Sequence, residues 1–153
     1  MAIPTAIPLS LSIKECKCTK FSFTEFAKSN KSIIPPDQYL FTFNFGLNIR
    51  EMERLVAIKL DSTLTGNSPE VKENIASIET NHHFLVNNFE DVTIKKNYRI
   101  EMYDQVLMPF LSISLSNLRG MFAIKLEDSI YSNAIVPLVD VSQLLPKIAP
   151  PIG

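Results

Sequence analysis

The sequence predicts an α+β fold: a four-stranded antiparallel meander sheet packed on one long C-terminal helix. Three observations carry this. Four stretches before residue 87 alternate apolar and polar residues with period two, the mark of half-buried antiparallel strands. One later stretch, Val106 to Leu126, sets its apolar residues at helical spacing. All the strands precede the helix, which is the order of an α+β domain and not of alternating βαβ units.

The first strand is expected over Leu9 to Phe26. Leu9, Leu11 and Ile13 alternate with Ser10, Ser12 and Lys14, and Phe21 and Phe23 resume the alternation beyond a point where a bulge is expected. Residues 27–38 read as a polar loop closed by Pro35-Pro36. Tyr39 to Ile49 is the clearest strand, with Tyr39, Phe41, Phe43, Phe45, Leu47 and Ile49 on one face and Thr42, Asn44, Gly46 and Asn48 on the other. A charged turn over 50–54 leads to a strand from Leu55 to Thr65, with Val56, Ile58, Leu60 and Leu64 inward and Lys59 and Asp61 outward. Gly66-Asn-Ser-Pro69 is a turn signal. Asn74 to Val86 is the last long strand, carrying Ala76, Ile78 and Phe84 on one face. The stretch 87–96 then reads as a connection to the helix, polar except for Phe89, Val92 and Ile94.

In the helix, Leu107, Leu111, Leu115, Leu118 and Phe122 form one apolar stripe, and Val106, Phe110, Ile113, Met121 and Ile124 form a second. At about 100° per residue the two cover roughly 200° of the circumference, twice what a one-sided surface helix needs. The excess points to a second copy of the chain or to a client. Leu111-Ser-Ile-Ser-Leu-Ser116 alternates like a strand, but the helical stripe extends beyond it on both sides. Pro109 fits best in a first turn, with Asp104 as N-cap, and Gly120 is expected to loosen the far end. Glu127 to Asn133 reads as a loop, Ala134 to Leu145 as a short apolar element around Pro137 followed by a helical turn, and 146–153 as a Pro-rich tail. With an extended N-terminal arm over 1–8, these flexible ends flank a single domain over 1–153.

Composition excludes several functions. Of 153 residues, 46% are hydrophobic, which rules out wholesale disorder. A net charge of −1 leaves no electrostatic footprint for nucleic acid or anionic membrane. No charge-free apolar run reaches about 18 residues, so no membrane insertion is expected. The N-terminus lacks the basic start and helical apolar run of a signal peptide, which predicts a cytoplasmic protein. Cys16 and Cys18 are too few for a disulfide framework or a zinc site and read as free thiols. His82 and His83, adjacent on a strand, point to opposite faces, one toward the core and one outward, and do not suit a shared metal. The four glycines form no phosphate-binding loop, and no serine sits in a nucleophile elbow. No enzymatic activity, metal or cofactor is expected. What remains is apolar surface, with ten phenylalanines and no tryptophan.

Here the chain resembles the SecB family of export chaperones and its wider relatives. Ile13 to Phe23 is similar to the family's first strand, and the strands through Val86 continue the likeness. It is strongest beyond Val106. Leu107-Met-Pro-Phe-Leu-Ser-Ile-Ser-Leu-Ser-Asn-Leu-Arg-Gly-Met-Phe122 looks like the family's long helix, with an early proline at Pro109 and Leu118-Arg-Gly-Met where the family has a Leu-x-x-Gly or Val-x-x-Gly end. Ile135-Val-Pro-Leu-Val-Asp-Val141 looks like the segment that leads into its last helix. The resemblance implies dimers that pair into tetramers through long helices and edge strands. It also implies ATP-independent holding of unfolded polypeptide in apolar grooves between the helix layer and the crossover segment after the third long strand. Carried over, the client groove falls on Phe84, Val86, Phe89, Phe110, Leu111, Met121 and Phe122, and the oligomer interface on Val106, Phe110, Ile113 and Ile124. The near-neutral charge departs from the acidic export members, and Ile130-Tyr-Ser-Asn133 replaces the family's Gly-x-Phe-Pro motif. A non-enzymatic adaptor or antitoxin-type chaperone with one dedicated protein partner is the alternative.

Overall fold

The computed structural model describes residues 9–23, 39–66, 74–129, 131–132 and 134–143. The arm over 1–8, the loop over 27–38, the turn residues 67–69 and the tail over 146–153 lie outside the described residues, as do 24–26 and 144–145.

Four long strands form one antiparallel sheet: β1 (Leu11–Phe23), β2 (Tyr39–Arg50), β3 (Leu55–Gly66) and β4 (Asn74–Val86). One long helix lies on the sheet, as expected. The strand order is β1-β4-β3-β2. β2, β3 and β4 are the expected meander, while β1 crosses over to pair with β4 and gives the sheet a Greek-key order. The two edges of the sheet are therefore β1 and β2.

The expected break in β1 is present twice. Ile13 pairs with Phe84 and Glu15 with His83, then Cys18 pairs with Thr80 and Lys20 with Glu79. At each step β1 advances two residues against one on β4, the count of a β-bulge, leaving Lys14 and Thr19 as the extra residues. β2 has no such break. It pairs with β3 residue for residue from Tyr39↔Gly66 to Arg50↔Leu55.

The stretch after β4 is more structured than its polarity suggested. Phe89–Val92 forms one helical turn, α1, with Phe89 and Val92 buried. β5 (Thr93–Lys96) and β6 (Arg99–Met102) then make a small hairpin. Its turn residues, Asn97 and Tyr98, have φ of 51° and 65°. Two consecutive positive φ values match the right-handed twist of the flanking strands, which is why a tight hairpin takes them.

The long helix, α2, spans Asp104–Leu126. Three details of its ends differ from expectation. Tyr103, not Asp104, occupies the N-cap and makes no side-chain cap. Asp104 is instead the first helical residue, where a negative charge still suits the helix dipole. Pro109 lies inside the helix and beyond its first turn. Its missing N–H leaves the Gln105 carbonyl without an intrahelical donor, and both residues are exposed, so water can satisfy that oxygen. Gly120 does not loosen the end, since the helix runs past it to Leu126.

By length and composition alone α2 could cross a bilayer, at a mean hydropathy of 1.3, contrary to the expectation that no segment would qualify. Its buried arc, however, is spent on its own sheet. Leu107, Phe110, Leu111, Ser114, Leu115, Leu118, Phe122 and Leu126 are all buried. They meet Val56, Ile58, Leu60 and Leu64 of β3 and Ile78, Phe84 and Val86 of β4 in one core. After the helix, residues 134–140 run without regular structure, held where the Arg119 Nε–H donates to the Val136 carbonyl at 2.9 Å, and the expected helical turn is a 3-10 turn at Val141–Gln143.

Candidate functional site

The sheet is wider than the helix that covers it. α2 packs chiefly on β3, β4 and β1, so the inward faces of β3 and β4 are buried while that of β2 is not. Tyr39, Phe41, Phe43, Phe45, Leu47 and Ile49 all project to the helix side, and every one is only half-buried. Two of the six are anchored by aromatic contacts. Phe41 meets Phe122 edge-on at 6.0 Å, and Tyr39 meets Tyr131 at 5.9 Å. The remaining four continue along the strand as an apolar row with one side open.

The second stripe of the helix is also incompletely covered. Val106, Ile113 and Met121 are half-buried and Ile124 is 70% exposed. Phe110, read with that stripe, is instead fully buried, its ring 5.1 Å from Phe84. The surplus of apolar circumference is real but narrower than the sequence suggested.

Of the seven residues expected to line a client groove, only Met121 reaches the surface. Phe84, Val86, Phe89, Phe110, Leu111 and Phe122 are buried within the subunit, at no more than 2% exposure. They are the packed layer between sheet and helix. Phe122 sits at its centre, touching Phe41 of β2 and, at 6.3 Å, Phe21 of β1. The open row on β2 was missed because a strand's alternation looks the same whether a helix covers its apolar face or stops short of it. Strand order decides which strand is left out, and strand order is non-local.

A polar track crosses the otherwise apolar core. The Cys16 Sγ lies 3.5 Å from His82 Nδ1, His82 Nε2 lies 2.9 Å from Thr80 Oγ1, and the Thr80 hydroxyl donates to the Leu60 carbonyl at 2.9 Å. Burial, reinforced by His83, lowers the His82 pKa to about 4, so the ring is neutral at pH 7. Burial also pushes the Cys16 thiol up, against a hydrogen bond with Asn117 of α2 that lowers it. A neutral imidazole beside a neutral thiol is a packing arrangement, not an activated nucleophile. Among the described residues no carboxylate joins His82; Glu15 lies on the other face with His83, at 3.3 Å.

That other face is polar and solvated. Glu15 pairs with Lys17 at 2.8 Å, and this contact first of all holds its carboxyl below the usual range. Lys59 pairs with Glu79 at 3.2 Å. Asp61 stands directly opposite Glu79, and burial followed by the Glu79 charge raises its carboxyl above the usual range. Among the described residues no group of three or more His, Cys, Asp or Glu is placed to hold a metal ion. What the helix side of the sheet can do chemically is bury extended apolar chain.

No protein-family model matches the sequence, and no curated protein matches it. Solved structures do. The SecB-like chaperone of Mycobacterium tuberculosis, in complex with a ChAD peptide from an antitoxin, superposes with a TM-score of 0.52 at 8% identity, over 84% of this chain and 90% of that one. A Streptococcus agalactiae protein of unknown function matches over 88% of this chain and 100% of its own, at 12% identity and a TM-score of 0.40. The fold of this chain is SecB-like.

Proposed function

We propose that this SecB-like fold serves as an ATP-independent, non-enzymatic holdase, taking extended polypeptide along the open apolar row of β2. The observation that carries the reading is the half-buried run Phe43, Phe45, Leu47 and Ile49 on an edge strand. A client laid there gains apolar contact from the row, with alternate side chains inward, and hydrogen bonds from the strand edge that no described strand pairs. The demand on client sequence is loose, as holding unfolded chains requires. Of the residues the resemblance nominated, Phe122 supports this row through Phe41, and Met121 adds apolar surface on the part of the helix whose neighbours Asn117 and Lys125 face β1. Val106, Ile113 and Ile124 form the contact between copies in a homodimer or homotetramer, with Phe110 behind them.

The test is suppression of aggregation of a chemically unfolded client at stoichiometric chaperone without nucleotide. Suppression that is lost in Phe43→Ser/Phe45→Ser, while the circular-dichroism spectrum is retained, supports the reading. No suppression of any of several clients refutes it. A second reading, one dedicated partner, is favoured by the antitoxin peptide bound to the Mycobacterium tuberculosis chaperone. It predicts a single stoichiometric co-purifying protein and no general holding activity.

A further inference from the structure

The hairpin β5–β6 concentrates three features that work against its own stability. Tyr98 holds a φ of 65°, a left-handed conformation that glycine or asparagine adopts at much lower cost than an aromatic residue. Its side chain is fully exposed and so returns nothing to the core. Lys96 and Arg99 are direct cross-strand partners, and like charges so placed repel. Lys95 is neutralised by Glu51 at 2.7 Å, which ties the hairpin to the β2–β3 turn. Lys96 and Arg99 have no ion pair among the described residues. An aromatic ring and two cations with no ion pair among the described residues are thus held out at the tip of an anchored hairpin.

We infer that Tyr98, Lys96 and Arg99 form a contact point for an acidic stretch of a polypeptide partner. The guanidinium and ammonium groups take its carboxylates, and the Tyr98 ring packs on the apolar residues between them. The inference rests on the polypeptide-binding reading for the class of partner, but its site is separate from the β2 row.

The test is fluorescence anisotropy of the full chain at low salt with a short labelled peptide of alternating Glu and Leu, against the same peptide with Gln for Glu. The expected result is about tenfold tighter binding of the acidic peptide, reduced to within about twofold in Tyr98→Gly and in Lys96→Gln/Arg99→Gln. Tyr98→Gly separates this from a structural role, because glycine suits the turn: its thermal midpoint should be unchanged or higher. Equal binding of the two peptides overturns the inference. So does a lower midpoint in Tyr98→Gly with the preference intact, and so does tighter binding of a single-stranded oligonucleotide or of phosphatidylserine vesicles than of the acidic peptide. Aggregation suppression should be unaltered in these variants, so that failure of the β2 reading and failure of the hairpin reading are told apart.

Discussion

The two edges of the sheet are built in opposite ways. β1 is interrupted by two bulges, and Lys14, Lys17 and Lys20 stand exposed along it. These are the devices by which proteins prevent a strand edge from pairing with a neighbour. β2 has neither. Its register is unbroken, and no charged residue occurs from Tyr39 to Ile49. On one side of the same sheet pairing is discouraged, and on the other, among the described residues, it is left open beside a half-covered apolar row. An unprotected edge is a hazard unless something is meant to occupy it, and the protected edge shows that this chain contains the means of protection.

Phe122 gives the strongest way to break the contrast, because its ring reaches both Phe21 on β1 and Phe41 on β2. Phe122→Ala should lower stability by about 3–5 kcal/mol, measured by urea denaturation. A loss below about 1 kcal/mol would mean that the edges are not held through the helix.

Next in size is the His82 track, which joins the β1 edge to the core. The folded pKa of about 4 lies below the usual 6.5. The unfolded chain therefore takes up a proton first as pH falls, and native stability is full above about pH 6.5 and declines toward pH 4. The decline attributable to this group is about 3 kcal/mol, at 1.36 kcal/mol per pKa unit. Urea midpoints across that range, with His82→Asn as reference, measure it; a wild-type curve parallel to that of the variant would count against a buried neutral His82.

Leu47→Lys, which puts a charge into the open row, should lower stability by only about 1 kcal/mol, since the side chain is half in water already. It should nevertheless abolish client holding. The smallest effect on stability is expected at the other edge. Lys20→Ile should change it by less than about 0.5 kcal/mol and yet raise self-association, read by light scattering. If Lys20→Ile stays as dispersed as the wild type, the protective reading of β1 fails.

Much of this architecture is legible in the sequence. β2, β3 and β4 and the long helix stand within two residues of where alternation and helical spacing put them, because each is decided by local pattern. In β1 the alternation is readable at both ends, and Leu11, Phe21 and Phe23 do pack on the core, while Ile13, read with them, is 52% exposed. The placement of β1 beside β4 is not legible, since the pattern fixes which face of a strand is inward but not which strand lies next to it. The β5–β6 hairpin was passed over because four-residue strands give almost no periodic signal, and Asn97 was its one local cue. The same non-local fact hid the candidate site. Ten phenylalanines announce a large apolar interior, but only the position of α2 determines that Phe84 is sealed while Phe43 and Phe45 remain half open.

The bulges have one more consequence. Lys14 and Thr19 have no partner position on β4, so a chain lacking both would still match β4 in full, with Cys16, Cys18, Phe21 and Phe23 turned inward as before. The shortened molecule would keep the inward register, give up the hydrogen bond that the Thr19 hydroxyl donates to the Glu79 carbonyl, and lose both kinks in its edge. Part of what keeps this edge from pairing therefore resides in two residues, and without them Lys17 and Lys20 would have to guard a straightened strand alone.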